Sequence, residues 1–122
     1  MITKELLDYV ESETTLIVGT DLFWGLYPEE DRVGVLISDL GGTENDSRMA
    51  TAQILINARY QDYLTTLTQI KLVYNILAFS NGFTLPSYYV NNTVPVSMPS
   101  FLGKDDRGLV MFSSIINLFT EV

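Results

Sequence analysis

Alternating apolar and polar residues predict a β-strand over residues 49–60. Its even-numbered positions are Ala, Ala, Ile, Ile, Ala and Tyr, and its odd-numbered positions are mostly polar. Since successive side chains of a strand point to opposite faces of a sheet, the pattern predicts one packed face and one face open to water or to a partner. Such alternation favours an antiparallel sheet.

The period changes to 3.6 residues near Gln61, which predicts a helix over residues 61–80. The apolar positions of this helix are Tyr63, Leu64, Leu67, Ile70, Tyr74, Leu77 and Ala78, with Tyr60 just before it. We expect this side to cover the Ile54 and Ile56 face of the strand. Asn81-Gly82 tolerates left-handed backbone and is predicted to end the helix. A shorter helix is predicted to end near Ser12, with Thr3 as its N-cap.

The other segments predict strands and turns. Pro95 and Pro99 cannot donate to a sheet ladder, so the short extended segment that contains them is predicted to be an edge strand or a bulged one. The predicted segments are a strand over Arg32–Leu40 closed by Gly41-Gly42, a weak strand around Phe83–Val90, a polar break at 91–93, an extended piece over Val94–Met98, a turn over Gly103–Gly108 and a strand over Leu109–Glu121. The element order predicts a single α+β domain over residues 1–122, an antiparallel sheet of about four strands with helices packed on one face.

Composition narrows the classes of function. The 122 residues include 15 Asp and Glu against 7 Lys and Arg, a net charge of −8. Seven basic residues supply few contacts to phosphates, which argues against nucleic-acid binding as a main function. The chain has no Cys and no His, which excludes Cys/His zinc sites and histidine-activated nucleophiles. No secretory signal or apolar run of ~20 residues is present, so we expect no membrane partner and a protein that stays in the cytoplasm or in what is assembled there.

The acidic residues are the remaining candidates for acid–base or metal chemistry. They cluster at Glu29-Glu30-Asp31, Asp39, Glu44 with Asp46, and Asp105-Asp106, and no cluster has a diagnostic spacing. Calcium loops place oxygen ligands at regular alternate positions, which Asp105-Asp106 lacks. We interpret these acidic residues as turn-forming residues that keep the protein soluble. We expect the protein to have no catalytic residue and to bind no metal or cofactor.

Two apolar groups have alternative interpretations. Phe23, Trp24 and Tyr27 lie within five residues, and they either fill the core or form a protein contact, since Trp and Tyr are favoured at the centres of interfaces. Leu72, Ile76 and Phe79 gather on the side of the second helix opposite Ile70 and Tyr74. Either loops of the same chain or another subunit cover this patch, because leaving three such side chains in water would be costly.

Four segments carry a resemblance to a known family. They are 21–25 with Pro28 (D-L-F-W-G…P), Gly41-Gly42, 53–63 (Q-I-x-I-x-A-R-x-x-D-Y) and 99–108 (P-x-x-L-G-x-D-x-x-G). In this order they resemble the small minor capsid proteins of tailed bacteriophages, a family similar to the tail terminator, or tail-completion, proteins of the head–tail junction.

The resemblance implies a structural protein and not an enzyme. It implies an α+β fold and a homohexameric ring that caps the tail tube, ends tube polymerisation and docks the filled head. The implied partners are the tail tube protein and the head–tail connector or neck proteins, and DNA passes through the ring without specific binding. The alternatives are a neck or head-completion adaptor of the same virion region, or an acidic module that binds a metal or ligand.

A subunit or assembly interface is predicted from the aromatic group, the helix patch and the resembling motifs. Its nine residues are Trp24, Tyr27, Arg59, Leu72, Ile76, Phe79, Leu102, Asp105 and Arg107.

Overall fold

The computed structural model describes residues 2–44, 49–78, 80 and 82–121. Within these residues, two helices and six strands follow each other in sequence. They are α1 (Ile2–Glu13), β1 (Leu22–Trp24), β2 (Gly34–Glu44), β3 (Met49–Tyr60), α2 (Tyr63–Ala78), β4 (Phe83–Thr84), β5 (Tyr89–Lys104) and β6 (Val110–Glu121). Helix α1 begins at Ile2, so the prediction of Thr3 as its N-cap is wrong.

All six strands form one sheet in the order β1-β2-β3-β6-β5-β4. Only β1 with β2 is a parallel pair, and the other neighbours are antiparallel. The predicted α+β class is confirmed, but the predicted number of about four strands is wrong. Two of the six strands, β1 and β4, have three and two residues, which is too short for a periodic pattern to show.

Strand β2 does not end at Gly41-Gly42 as predicted. It continues to Glu44. The irregularity at this point is a shift in the register of its pairing with β3, between Asp39 and Gly42. Gly41 has φ of +97°, a conformation that glycine adopts without steric cost, and its N–H donates to Asp39 Oδ1 at 2.7 Å. The glycine pair therefore bends a strand without ending it.

One face of the sheet packs under the helices. Ile56 lies opposite Ile37 on β2 and Ser114 on β6, and Ile54 lies opposite Ile116. These residues are fully buried together with apolar residues of both helices, namely Leu6, Leu7 and Val10 of α1 and Ile70, Val73 and Leu77 of α2. The alternation in β3 thus corresponds to a packed face, as predicted.

Helix α2 lies within the predicted range but buries a slightly different side. Asp62 caps it, since its Oδ2 accepts a hydrogen bond from the N–H of Thr65 at 3.0 Å. Thr66 and Val73 are buried, whereas Tyr63 and Leu64 at the start of the helix are exposed. The predicted helix end at Asn81 lies outside the described residues.

Strand β5 is the longest of the described strands, with 16 residues. It runs through the predicted break at 91–93 and through both prolines, so the prediction of a break is wrong. Four register shifts against β6 absorb these residues. Strand β4 pairs only with Tyr89 and Val90, and beyond them no described strand pairs with the outer edge of β5. The prediction of an edge strand around the prolines agrees with this arrangement.

Candidate assembly interface

Arg59 holds the loop over residues 25–33 against the end of β3. Its guanidinium carbon lies 3.8 Å from the centroid of the Tyr27 ring. Its Nε donates to the carbonyl oxygen of Arg32 at 2.6 Å, and its Nη2 donates to that of Glu29 at 2.8 Å. A planar guanidinium can stack on a ring and donate in two directions at once. We call Tyr27, Asn57 and Arg59 the loop clasp.

The Tyr27 hydroxyl completes the loop clasp. It donates to Asn57 Oδ1 at 2.9 Å, and Asn57 belongs to the face of β3 that the helices do not cover. Burial raises the pKa of Tyr27 well above its ordinary value, and the nearby Arg59 charge offsets part of this rise. The phenol therefore keeps its proton at neutral pH and stays a hydrogen-bond donor.

The turn between β5 and β6 is ordered by Asp105. Its Oδ1 accepts hydrogen bonds from the N–H groups of Leu109 and Arg107, both at 2.9 Å. The bond from Leu109, followed by that from Arg107, lowers the pKa of Asp105. Arg107 in turn forms an ion pair with Glu30 of the clasped loop. The turn and the loop are therefore held together at one end of the sheet.

Several acidic side chains at this end of the sheet are engaged within the chain, since Glu29 pairs with Arg32 and Glu30 with Arg107. Within the described part of the chain, no three acidic side chains lie close enough to hold a metal ion. The Asp105 carboxylate is already engaged by backbone donors. Over the same residues, no helix is long and apolar enough to cross a membrane. The arrangement orders two loops, and its exposed surface is available for protein contact.

An apolar hollow lies along the β1 edge of the sheet. It encloses about 220 Å³, and we call it the β1 hollow. Trp24 is 44% exposed and Leu26 is 83% exposed, although both line this hollow. Its lining residues are Val18, Gly19, Leu22, Phe23, Trp24, Leu26 and Pro28.

A row of exposed apolar side chains lies at the other side of the sheet, on β5. We call Val94, Val96, Met98 and Leu102 the β5 row, and Met98 is 70% exposed. Because β4 ends at Thr84, no described strand covers this stretch. Large apolar side chains left in water on an open sheet edge are typical of a surface that another protein covers.

A family model described as "Bacteriophage tail terminator protein" matches residues 9–120. The chain belongs to the bacteriophage tail terminator family. The resemblance found in the sequence motifs is thereby confirmed, and the chain is a structural protein of the phage tail. No significant match was found among curated proteins.

A solved structure shares the fold of this tail terminator. A chain of the structure titled "Virion of native gene transfer agent (GTA) particle" superposes with a TM-score of 0.65 at 10% sequence identity. The match covers 93% of this chain and 92% of that chain. At this identity the likeness shows a common fold.

The nine predicted interface residues fall into separate parts of the terminator. Tyr27, Arg59, Asp105 and Arg107 come together in the clasped loop and turn, where their contacts are within the chain. Trp24 lines the β1 hollow and Leu102 belongs to the β5 row.

The apolar patch predicted on α2 from Leu72, Ile76 and Phe79 is smaller than the helical spacing predicts. Leu72 is 36% exposed, whereas Ile76 packs partly buried against the core of the same chain. Phe79 lies outside the described residues. Of the two alternatives for this patch, the chain's own core accounts for Ile76, and only Leu72 among the described members faces solvent.

The sequence prediction missed Leu26 and Met98, the two most exposed large apolar side chains of the described residues, and with them Val94 and Val96. A signal was present, because Pro95 and Pro99 already predict an edge strand there, and alternating apolar residues on an edge have one side without a strand partner. Leu26 had no such signal, since its exposure depends on how the loop lies across the sheet.

Proposed function

We propose that this chain forms a closed ring, a homohexamer, at the end of the phage tail tube. The ring caps the tube, ends the addition of tube subunits and presents the surface to which the filled head docks. The family match over residues 9–120 is the observation that carries this proposal. The partners are the tail tube protein on one side and the head–tail connector or neck proteins on the other.

The surface of the described residues supports a role in assembly. Apolar side chains are exposed at two different edges of the sheet, which is what a subunit with two different neighbours requires. The chain with the similar fold comes from a structure titled as the virion of a gene transfer agent particle. This source is consistent with a place for the present protein in a virion. The protein is made in the host cytoplasm and acts at the head–tail junction.

The charge of the chain suits a conduit for DNA. A net charge of −8 with only 7 basic residues gives a ring whose overall field repels a polyanion. DNA therefore passes through the ring without being held by it.

Deleting the gene and examining the particles by electron microscopy tests the proposal. Without a terminator, tails are expected to be overlong or headless, because nothing ends tube growth or docks the head. Supplying the wild-type protein from a plasmid should restore tails of normal length with heads attached. Normal free tails beside leaking heads would contradict the proposal and indicate a neck or head-completion adaptor instead.

A further inference from the structure

We infer that neighbouring copies contact each other head to tail, with the β5 row of one copy packed into the β1 hollow of the next. This inference rests on the proposed ring and names the surfaces that form it. The occupant of the hollow is a second copy of this chain.

The two surfaces are complementary in shape and chemistry. The β1 hollow is a concave, apolar space of about 220 Å³ with exposed Trp24 and Leu26 at its border. The β5 row consists of exposed apolar side chains on a strand whose outer edge has no described partner beyond Val90, and Met98 is the most exposed of them. An unbranched, flexible methionine side chain adapts well to an irregular apolar space.

The two surfaces lie on different strands of the sheet. Strands β1 and β5 are separated by β2, β3 and β6 in the strand order. Four steps of about 4.8 Å place these strands roughly 19 Å apart along the sheet. Within one chain, the loop after β1 and the turn after β5 meet through the Glu30–Arg107 ion pair at one end of the sheet. Contact between the row of one copy and the hollow of the next joins two different patches, and repeating such a contact gives a closed ring or an open chain.

The backbone of the β5 edge favours packing of side chains over strand pairing. Pro95 and Pro99 have no N–H to donate, so a continuous ladder with another strand cannot form along this edge. The register shifts on either side of Ser97 further break its regularity. A neighbouring copy therefore contacts the side chains of β5, and pairing of its backbone with further strands is disfavoured.

Charge also favours a second copy. Lys104 follows the β5 row directly, is exposed and takes part in none of the ion pairs of the described residues. Pro28 lines the β1 hollow and is followed by exposed Glu29, Glu30 and Asp31, of which Glu29 pairs with Arg32 and Glu30 with Arg107 of the same chain. Asp31 takes part in none of the ion pairs of the described residues. In a chain of net charge −8, placing Lys104 near Asp31 of the next copy reduces the repulsion between approaching copies.

A mixing experiment with two variants tests the contact. Leu26→Glu disrupts the β1 hollow and leaves the β5 row intact, and Met98→Glu does the opposite. Each variant alone should lose the assembled form and run as the 13.7 kDa monomer. An equimolar mixture should give dimers and nothing larger, because only one intact row and one intact hollow can meet. Light scattering after size exclusion measures these masses, both in solution and after release from purified tail tubes.

The control is Leu64→Glu, because this leucine on α2 is about as exposed (69%) as Met98 (70%) and belongs to neither surface. It should assemble like the wild-type protein, and circular dichroism should show all variants folded. Rings that persist in both edge variants would overturn the inference and leave the proposed function standing. Open chains of wild-type protein that both variants abolish would support the contact but contradict a closed ring. A wild-type protein that is monomeric in solution and on tubes would overturn both.

Discussion

Strands β3 and β5 are the two neighbours of β6, and they differ in what their apolar side chains do. Strand β3 is paired with β2 on one side and β6 on the other, and its even-numbered side chains from Ile54 to Ala58 are fully buried under the helices. Strand β5 is paired along β6, but on its outer side β4 covers only Tyr89 and Val90. Apolar side chains of similar size are buried and stabilise the monomer in β3, whereas in β5 they remain exposed to water.

The difference separates folding from assembly. Burying an aliphatic side chain contributes about 1.5–3 kcal/mol. In β3 this free energy is already gained within one chain, whereas the side chains of the β5 row are still 42–70% exposed and would gain the remainder in the proposed contact. Substitutions in β3 should therefore change the free energy of unfolding, and substitutions in the β5 row should change association.

The largest effect is expected at Ile56. Its side chain is fully buried between β2, β6 and the helices, so Ile56→Ala removes buried contacts and leaves a cavity. We expect the free energy of unfolding to fall by about 2–5 kcal/mol. Urea denaturation followed by circular dichroism measures it. The control is Leu55→Ala on the half-buried opposite face, with an expected loss of about 1 kcal/mol. Equal losses for the two variants would contradict the assignment of the packed face.

The sequence predicted β3 well because its local pattern and its environment agree. Between Ala52 and Tyr60 the even-numbered side chains lie in the core or pack against it, so alternation of residue types follows alternation of burial. Strand β5 was predicted only in pieces, because Asn91-Asn92-Thr93 and two prolines are typical of a break. An edge strand with register shifts tolerates them, since its outer side needs no donors.

The sequence predicted which residues belong to the candidate site, but not which contacts these residues make. The segments that carry the family resemblance contain Arg59, Asp105 and Arg107, and the aromatic group contains Tyr27. That Arg59 stacks on Tyr27, or that Arg107 pairs with Glu30, depends on the path of a loop across the sheet. No periodicity encodes that path, since it is decided by a few polar contacts between segments far apart in the sequence.

The next largest effect is expected at Arg59, which joins the end of β3 to the loop. Arg59→Ala removes the stacking on Tyr27 and both bonds to loop carbonyls. We expect a loss of about 1–3 kcal/mol in urea denaturation and faster proteolysis within residues 25–33. Tyr27→Phe is the matched control, because it keeps the ring and removes only the hydroxyl, at about 0.5–1.5 kcal/mol. Unchanged proteolysis of the loop in Arg59→Ala would show that other contacts hold it.

A smaller effect is expected from acid on the turn that follows β5. Backbone hydrogen bonds, first from Leu109 and then from Arg107, lower the pKa of Asp105 in the folded state. Its stabilising contribution is therefore present above the ordinary aspartate pKa of about 3.9 and is lost as the pH falls through the lowered folded value. Asp105→Asn should flatten the acid dependence of the urea midpoint between about pH 7 and pH 2. Superimposable pH profiles of the two proteins would contradict this role.

The smallest effect on folding is expected in the β5 row itself. Val96 is exposed in the monomer, so Val96→Ser should leave the free energy of unfolding within about 0.5 kcal/mol of the wild-type value. The same substitution removes apolar surface from the proposed contact, so the midpoint concentration of assembly, measured by light scattering, should rise. Val35→Ser, a fully buried valine on β2, is the control that should lose stability instead. A large loss of monomer stability in Val96→Ser would mean that the β5 row is already covered by its own chain, and the contrast between β3 and β5 would then fail.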